Sequence, residues 1–224
     1  MKNKIKIIIL FGDPGAGKGT QAEILAKKTH FNRISTGDLV RNEMRNKSAL
    51  AKDLIPFYNA GKPAPNKIIN NLVENKIKEL KQNSGIKGII FDTFPFDNEQ
   101  ADFLASISEK YGLNKPIIIW IDVPDKEILK RLGSRLICTK CNKIFRASEV
   151  SLDKCPNCQG SLEKRADDEE KLIKNRIKVY KKVESEHRKY YKDYNYWFDV
   201  NGDQKIEKVS QDIWSVIKSN FYGE

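Results

Sequence analysis

Residues 5–20 read IKIIILFGDPGAGKGT, and the order of features in this stretch decides the fold. The apolar run from Ile5 to Phe11 is short and rich in β-branched residues, and a glycine ends it. That combination predicts a strand buried on both faces. KGTQAEILAKKTH follows, with Ala22, Leu25 and Ala26 at helical spacing. Between strand and helix, Gly12, four residues, Gly17 and Lys18 form a phosphate-loop pattern in the flanking context it requires. Glycines let successive backbone N–H groups curl around an anion, the helix N-terminus adds positive potential, and Lys18 supplies a mobile charge. The alternative is an ordinary glycine-rich turn. Gly19 stands where many such loops place the hydroxyl that ligates magnesium, with Thr20 one position later. The ion then depends more on phosphates, water and a nearby carboxylate.

Further along, GIIFD (88–92) and PIIIWID (116–122) are buried-strand candidates, with helices expected over 97–110 and 124–133. Asp97 or Asn98 caps the first, and Pro124 lies near the first turn of the second. YWFDV (196–200) is a further strand, and KIEKVSQDIWSVIKS the last helix. Strands alternating with helices imply an α/β fold of three layers around a parallel sheet. Asp92, at the end of a neighbouring strand, would face the same crevice as the loop; a turn or capping role is the alternative. Residues 36–82 are helical without a strong strand, and 137–164 hold all four cysteines; both read as insertions at the functional edge.

Cys138, Cys141, Cys155 and Cys158 form C-x2-C-x13-C-x2-C, with each pair in a tight knuckle. Four thiolates at this spacing suit one tetrahedral, structural Zn2+ with no open position. The intervening span is slightly shorter than usual but can fold back as a hairpin. Disulfide pairing is the alternative.

GxPGxGKGT, STGDLVR (35–41) and D-x-F-P-x4-Q-A-D (92–102), in this order, resemble the adenylate kinases, which move a phosphoryl group from ATP to AMP. The resemblance runs from about residue 5 to 218. It implies a P-loop core over 1–34, 66–136 and 166–224, a helical monophosphate-binding insertion over 35–65, and a mobile lid over 137–165, of a type that in some members carries four cysteines. It also implies Mg2+ with ATP, held through Asp92, and phosphates cradled by Gly15, Ala16, Gly17, Lys18, Gly19 and Thr20. Arg131 and Arg135 resemble the cations on the ATP side and at the transferring group. Arg165 and Arg176 resemble the pair bridging both nucleotides. Asp167 and Asp168 match an acidic hinge pair, with first-turn helix acidity as the alternative. On the AMP side the matches are Thr36, Arg41, the backbone of Lys62, Pro63 and Ala64, the turn residues Thr93 and Phe96, and Gln100 for the adenine edge. Ile144 and Phe145 fall where members pack on the ATP base, and Gly202 and Gln204 where they touch its other edge; loop packing is an equal alternative for these four.

The chain departs from the family's D-G-F-P-R at two places: Thr93 replaces the glycine, and Phe96 the arginine that would clamp the acceptor phosphate. Phe96 cannot donate a hydrogen bond. Either acceptor use is weakened, or another cation substitutes, with Arg41, Arg45 and Lys62 the nearest in sequence.

Arg165 precedes a helix and Arg176 lies three turns into it by the spacing, so both can face one site. Arginine's planar fork binds phosphate oxygens in pairs, and only nine of 41 basic residues are arginine. Net charge is +11, with no compact basic block; a solvated lysine surface accounts for it, and a zinc-ribbon nucleic-acid binder would need aromatics interleaved with the basic residues. His30, at a helix end, and His187, read as exposed, match no catalytic position. No apolar run approaches a membrane span, and no signal-peptide cleavage region follows MKNKIKIIILFGD. The expectation is a cytoplasmic monomer acting on ATP and AMP, with neither nucleic acid nor membrane as partner.

Overall fold

The computed structural model describes residues 4–82, 86–141, 143–150, 154–165 and 168–223. Five strands form a parallel sheet in the order β2-β3-β1-β4-β8: β2 (Asn32–Ser35), β3 (Gly88–Asp92), β1 (Lys6–Gly12), β4 (Ile117–Asp122) and β8 (Trp197–Asn201). The central strands lack polar alternation because both faces are covered. Ile7, Ile9, Phe11, Phe91 and Trp120 pack with α4 (Asn66–Gln82) and α5 (Asn98–Tyr111) on one side. Ile8, Leu10, Ile90 and Ile119 pack with α1 (Lys18–Thr29), α6 (Asp125–Gly133) and α8 (Ile206–Tyr222) on the other. Adjacent isoleucines of one strand thus serve opposite cores, as the strand period of two requires.

Sequence periodicity located four of these five strands within one residue, and of the two cap candidates for α5, Asp97 and Asn98, it is Asp97 that caps, its carboxylate accepting from the Gln100 N–H at 2.9 Å. β2 was not foreseen. NRIS is short, and only Ile34 and Ser35 are buried, so its pattern is weak; it forms because β3 offers a parallel edge. The helical region after it divides into α2 (Thr36–Arg45), α3 (Ala51–Asn59) and α4. The cysteine region is a three-stranded antiparallel sheet, with β5 (Arg135–Cys138) between β6 (Ile144–Arg146) and β7 (Leu162–Glu163). The chain returns through α7 (Glu170–Tyr190). Among the described residues, no helix is long and apolar enough to cross a membrane.

Candidate active site

β1 sits where the strand order reverses, and the loop leaving it faces the crevice beyond the carboxyl ends of β1 and β3. The loop's conformation depends on glycine. Gly12 has φ 138°, and a Cβ there would lie 2.5 Å from the Ile121 carbonyl oxygen. Gly17 has φ 97° immediately before α1. Lys18 curls back over the loop, its Nζ donating to the carbonyls of Gly12 (2.7 Å) and Asp13 (2.9 Å). Burial draws its pKa down to about 8, against the opposing pull of Asp92 and Asp13. Asp13, also within the loop, is itself raised to about 6 by burial, although Lys18 opposes this.

A cavity of about 280 Å³ opens over the loop. Of the residues expected to handle ATP, Gly15, Gly17, Lys18, Gly19, Thr20, Arg135 and Ile144 line it. Ala16, within the loop, is buried in the core and does not line the cavity. Phe145 packs instead on the cysteine cluster. Arg131 is turned to the flank: its Nε donates to Glu127 (2.9 Å) and its Nη2 to the Gly202 carbonyl (3.0 Å). Gln204 bonds to the Asn201 carbonyl and Asp212. Arg131, Gly202 and Gln204 are therefore not among the residues of the cavity wall.

Every residue expected on the AMP side lines the same cavity: Thr36, Arg41, Lys62, Pro63, Ala64, Thr93, Phe96, Gln100, Arg165 and Arg176. The Thr36 hydroxyl donates to the Thr93 carbonyl at 3.2 Å, which fastens α2 to the turn after β3. Thr93 has φ 65°, a left-handed conformation that costs a β-branched residue about 1–2 kcal/mol; the turn wants glycine, as the motif comparison suggested. The Gln100 amide is engaged at both ends, accepting from the Phe96 N–H (2.8 Å) and donating to Asn66 (2.7 Å). Phe96 packs edge-on against Tyr180 with ring centroids 5.2 Å apart. Of the cations expected to substitute for the missing arginine, Arg41 and Lys62 line the cavity and Arg45 does not.

Helical spacing is not what unites Arg165 and Arg176. α7 begins at Glu170, so Arg165 lies outside it and Arg176 less than two turns in. The carboxylate of Asp168, whose side chain is only 2% exposed, receives both Nε and Nη2 of Arg135 (2.7 and 2.5 Å) and lies 3.5 Å from Arg176 Nη1. Asp168 precedes α7, so it acts as a bracket between β5 and α7 and not as first-turn helix acidity; Asp167 lies outside the described residues.

The four cysteine sulfurs lie within 4.8 Å of one another, Cys138 and Cys158 at 3.4 Å and Cys141 and Cys155 at 3.6 Å. All four thiols are free. A tetrahedral ion with bonds of about 2.3 Å would separate its sulfurs by about 3.8 Å, so this donor set fits zinc. The Lys140 and Cys141 N–H groups each approach Cys138 Sγ at 3.4 Å, the turn that points both thiols of a knuckle inward.

His187, read from sequence as exposed, is fully buried, its ring 4.3 Å from that of Phe11. It lies on the inner face of α7, which amphipathic spacing alone did not single out because its neighbours are Glu186 and Arg188. Sequence reasoning also missed Arg33, Tyr58 and Tyr180 in the cavity wall. For Arg33 the available signal was an arginine two positions before Ser35 in a chain rich in lysine.

A glycine loop between the first strand and helix of a doubly covered parallel sheet, with a carboxylate and several guanidiniums converging above it, defines a P-loop nucleotide-binding protein. A family model described as adenylate kinase matches residues 10–196. The chain is 36% identical to the adenylate kinase of Lactobacillus johnsonii over 220 residues, covering 95% of this chain and 99% of that protein. It is 34% identical to the adenylate kinase of Methanocella arvoryzae over 214 residues (94% and 97%) and 35% identical to that of Fusobacterium nucleatum over 211 (94% and 97%). The chain belongs to the adenylate kinase family.

Proposed function

We infer that the chain transfers the terminal phosphoryl group of ATP to AMP, giving two ADP. The observation that carries this reading is one cavity lined by Lys18 and Thr20 on one side, Arg41 and Gln100 on the other, and Arg135, Arg165 and Arg176 between. Phosphoryl transfer asks the protein for little covalent chemistry; it needs two reactants held in line and positive charge around the moving group. In this reading the loop N–H groups and Lys18 hold the ATP phosphates. Arg135, Arg165 and Arg176 stabilise the charge that develops between the nucleotides, and Arg131 works from the ATP side. Thr36, Arg41, the 62–64 backbone, Thr93 and Phe96 bound the acceptor site. Gln100 exchanges its bonds to Phe96 and Asn66 for the adenine edge, whose adjacent acceptor and amino group suit a two-sided amide. Ile144, Phe145 and Gln204 contact the ATP base once the lid is closed. Asp92, in the cavity wall, would hold the water shell of a Mg2+ ion bound with ATP, and that ion would supply charge neutralisation at the phosphates.

The domain limits follow: a core of 1–34, 66–136 and 166–224, an acceptor-binding insertion of 35–65 and a lid of 137–165. Zn2+ held by Cys138, Cys141, Cys155 and Cys158 would be structural, because four thiolates leave no open position. The chain would act as a cytoplasmic monomer. A kinase of another monophosphate is the second enzyme reading, and Gln100 favours AMP. The family match does not favour a nucleic-acid-binding role or acceptor use weakened or altered by Phe96.

The test is coupled measurement of ADP formation from ATP with AMP, GMP, CMP and UMP in turn. AMP is expected to be the preferred acceptor, and Lys18→Ala to remove nearly all turnover while leaving the circular dichroism spectrum intact. Equal use of all four, or a Lys18→Ala variant within a few-fold of wild type, would contradict the reading.

A further inference from the structure

Phe96 leaves an apolar surface where the family motif has an arginine, yet the cavity wall also contains one arginine, Arg33, that stands at none of the motif positions. Arg33 lies on β2, two residues before Ser35, which pairs with Asp92 across the parallel ladder. Its Nη2 donates to Asp92 Oδ2 at 2.6 Å, and its Nη1 lies 2.9 Å from Asp38 Oδ2. A Cβ on Gly19 would be 3.3 Å from Nη2, so the guanidinium rests against the residue that follows Lys18 in the phosphate loop. Asp38 also receives Nη2 of Arg41 at 2.5 Å. Two planar forks are thus held side by side on one carboxylate, between the loop and the acceptor wall. Burial pushes Asp38 up, but Arg41 and Arg33 together draw its carboxyl below the usual range, so it stays charged and keeps both forks in place. The Nε atoms of Arg33 and Arg41 are buried and find no acceptor among the described residues. Buried N–H donors left in this state are a standing cost, which a phosphate oxygen would relieve.

We propose that Arg33 is the acceptor-phosphate cation of this protein, taking over from β2 the work that an arginine at position 96 would do. The inference rests on the AMP phosphotransferase reading. A second arginine beside Arg41 restores the paired guanidinium clamp, approached from the β2 side of the cavity and prepositioned by Asp38 and Asp92. In a chain whose basic residues are mostly lysine, arginine at this point fits bidentate recognition of a phosphate better than simple charge balance does.

The experiment is steady-state kinetics of Arg33→Gln and Arg33→Lys, each with and without Phe96→Arg, varying AMP and ATP separately. Arg33→Gln is expected to raise the KM for AMP by about 10- to 100-fold, the loss of charge-assisted hydrogen bonds to phosphate, with the KM for ATP changed by no more than a few-fold. Phe96→Arg is expected to recover most of this loss in the Arg33→Gln background and to gain far less in wild type, the coupling of two residues that do one job. Arg33→Lys keeps the charge facing Asp92 and Asp38, so it folds even if Arg33→Gln does not, and it should still raise the KM for AMP selectively. Equal rises in both KM values would overturn the proposal, as would a change confined to melting temperature or Mg2+ requirement. So would an equal gain from Phe96→Arg in both backgrounds. A wild-type protein that forms no ADP from ATP and AMP would instead overturn the parent reading, and the inference with it.

Discussion

At the scale of single residues, burial sets the behaviour of two titrating groups. Lys18 is charged below pH 8 and increasingly neutral above it in the free protein, because burial has drawn its pKa down to about 8. Bound phosphate favours the charged form. The expected pH profile is therefore a fall in kcat/KM for ATP above about pH 8 with kcat nearly flat, since the former reports the free protein and the latter the complex. A parallel fall in both would show that Lys18 titrates in the complex too. His187 has a pKa lowered to about 4 from 6.5 by burial, with Asp97 opposing, so the unfolded chain takes up a proton first as pH falls. Its neutral form contributes stability that is intact above pH 6.5 and is lost as pH drops toward 4. By pH 5 the loss is about 2 kcal/mol. His187→Leu should flatten that acid limb in urea melts at pH 7 and pH 5; an unchanged slope would locate acid sensitivity elsewhere. Neither property was legible in the sequence, where His187 looks like one more polar residue among EHRKY.

Among the elements, the cysteine-bearing sheet has the least apolar core. Its buried set is Cys138, Cys155 and Leu162, with Leu136, Phe145 and Val150 packed on it. So few apolar residues cannot offset the entropy of ordering the strands, and a metal would supply what the core lacks. One zinc per chain is expected by elemental analysis, and Cys138→Ser with Cys155→Ser should abolish it and lower the melting temperature. Metal-free wild type with the same melting curve would refute this. Spacing made the four ligands legible, because knuckle chemistry is local. The bracket of Asp168 on Arg135 and Arg176 was only half legible: resemblance pointed to the acid, but which arginine it holds depends on where β5 and α7 meet. The expected three-turn phase of Arg165 and Arg176 failed because α7 starts at Glu170, later than the pattern implied.

For the whole molecule, the net charge is +11, and its cavity would receive polyanions. Attraction at a distance speeds encounter and is screened over about 8 Å at physiological salt. Raising NaCl from about 20 to 200 mM, a range over which the screening length shrinks severalfold, should lower kcat/KM for ATP by several-fold while kcat moves little. A salt-independent kcat/KM would mean that the surface lysines are balanced before they act on the nucleotide. The sequence by itself determined the parallel α/β fold, the phosphate loop, the four-thiol set and most of the acceptor wall. Those features are written in short-range spacing: continuous apolar strands, glycines at fixed offsets, and motif residues close to the strand ends that present them. Only the tertiary structure decided that NRIS is an edge strand, that His187 is interior, that Arg131 turns to the Gly202 flank, and that Arg33 stands between Asp38 and Asp92. Each of these depends on a partner distant in the chain, Ile90, Phe11, Gly202 and Asp92 respectively, and a sequence pattern carries no record of which distant groups the sheet brings side by side.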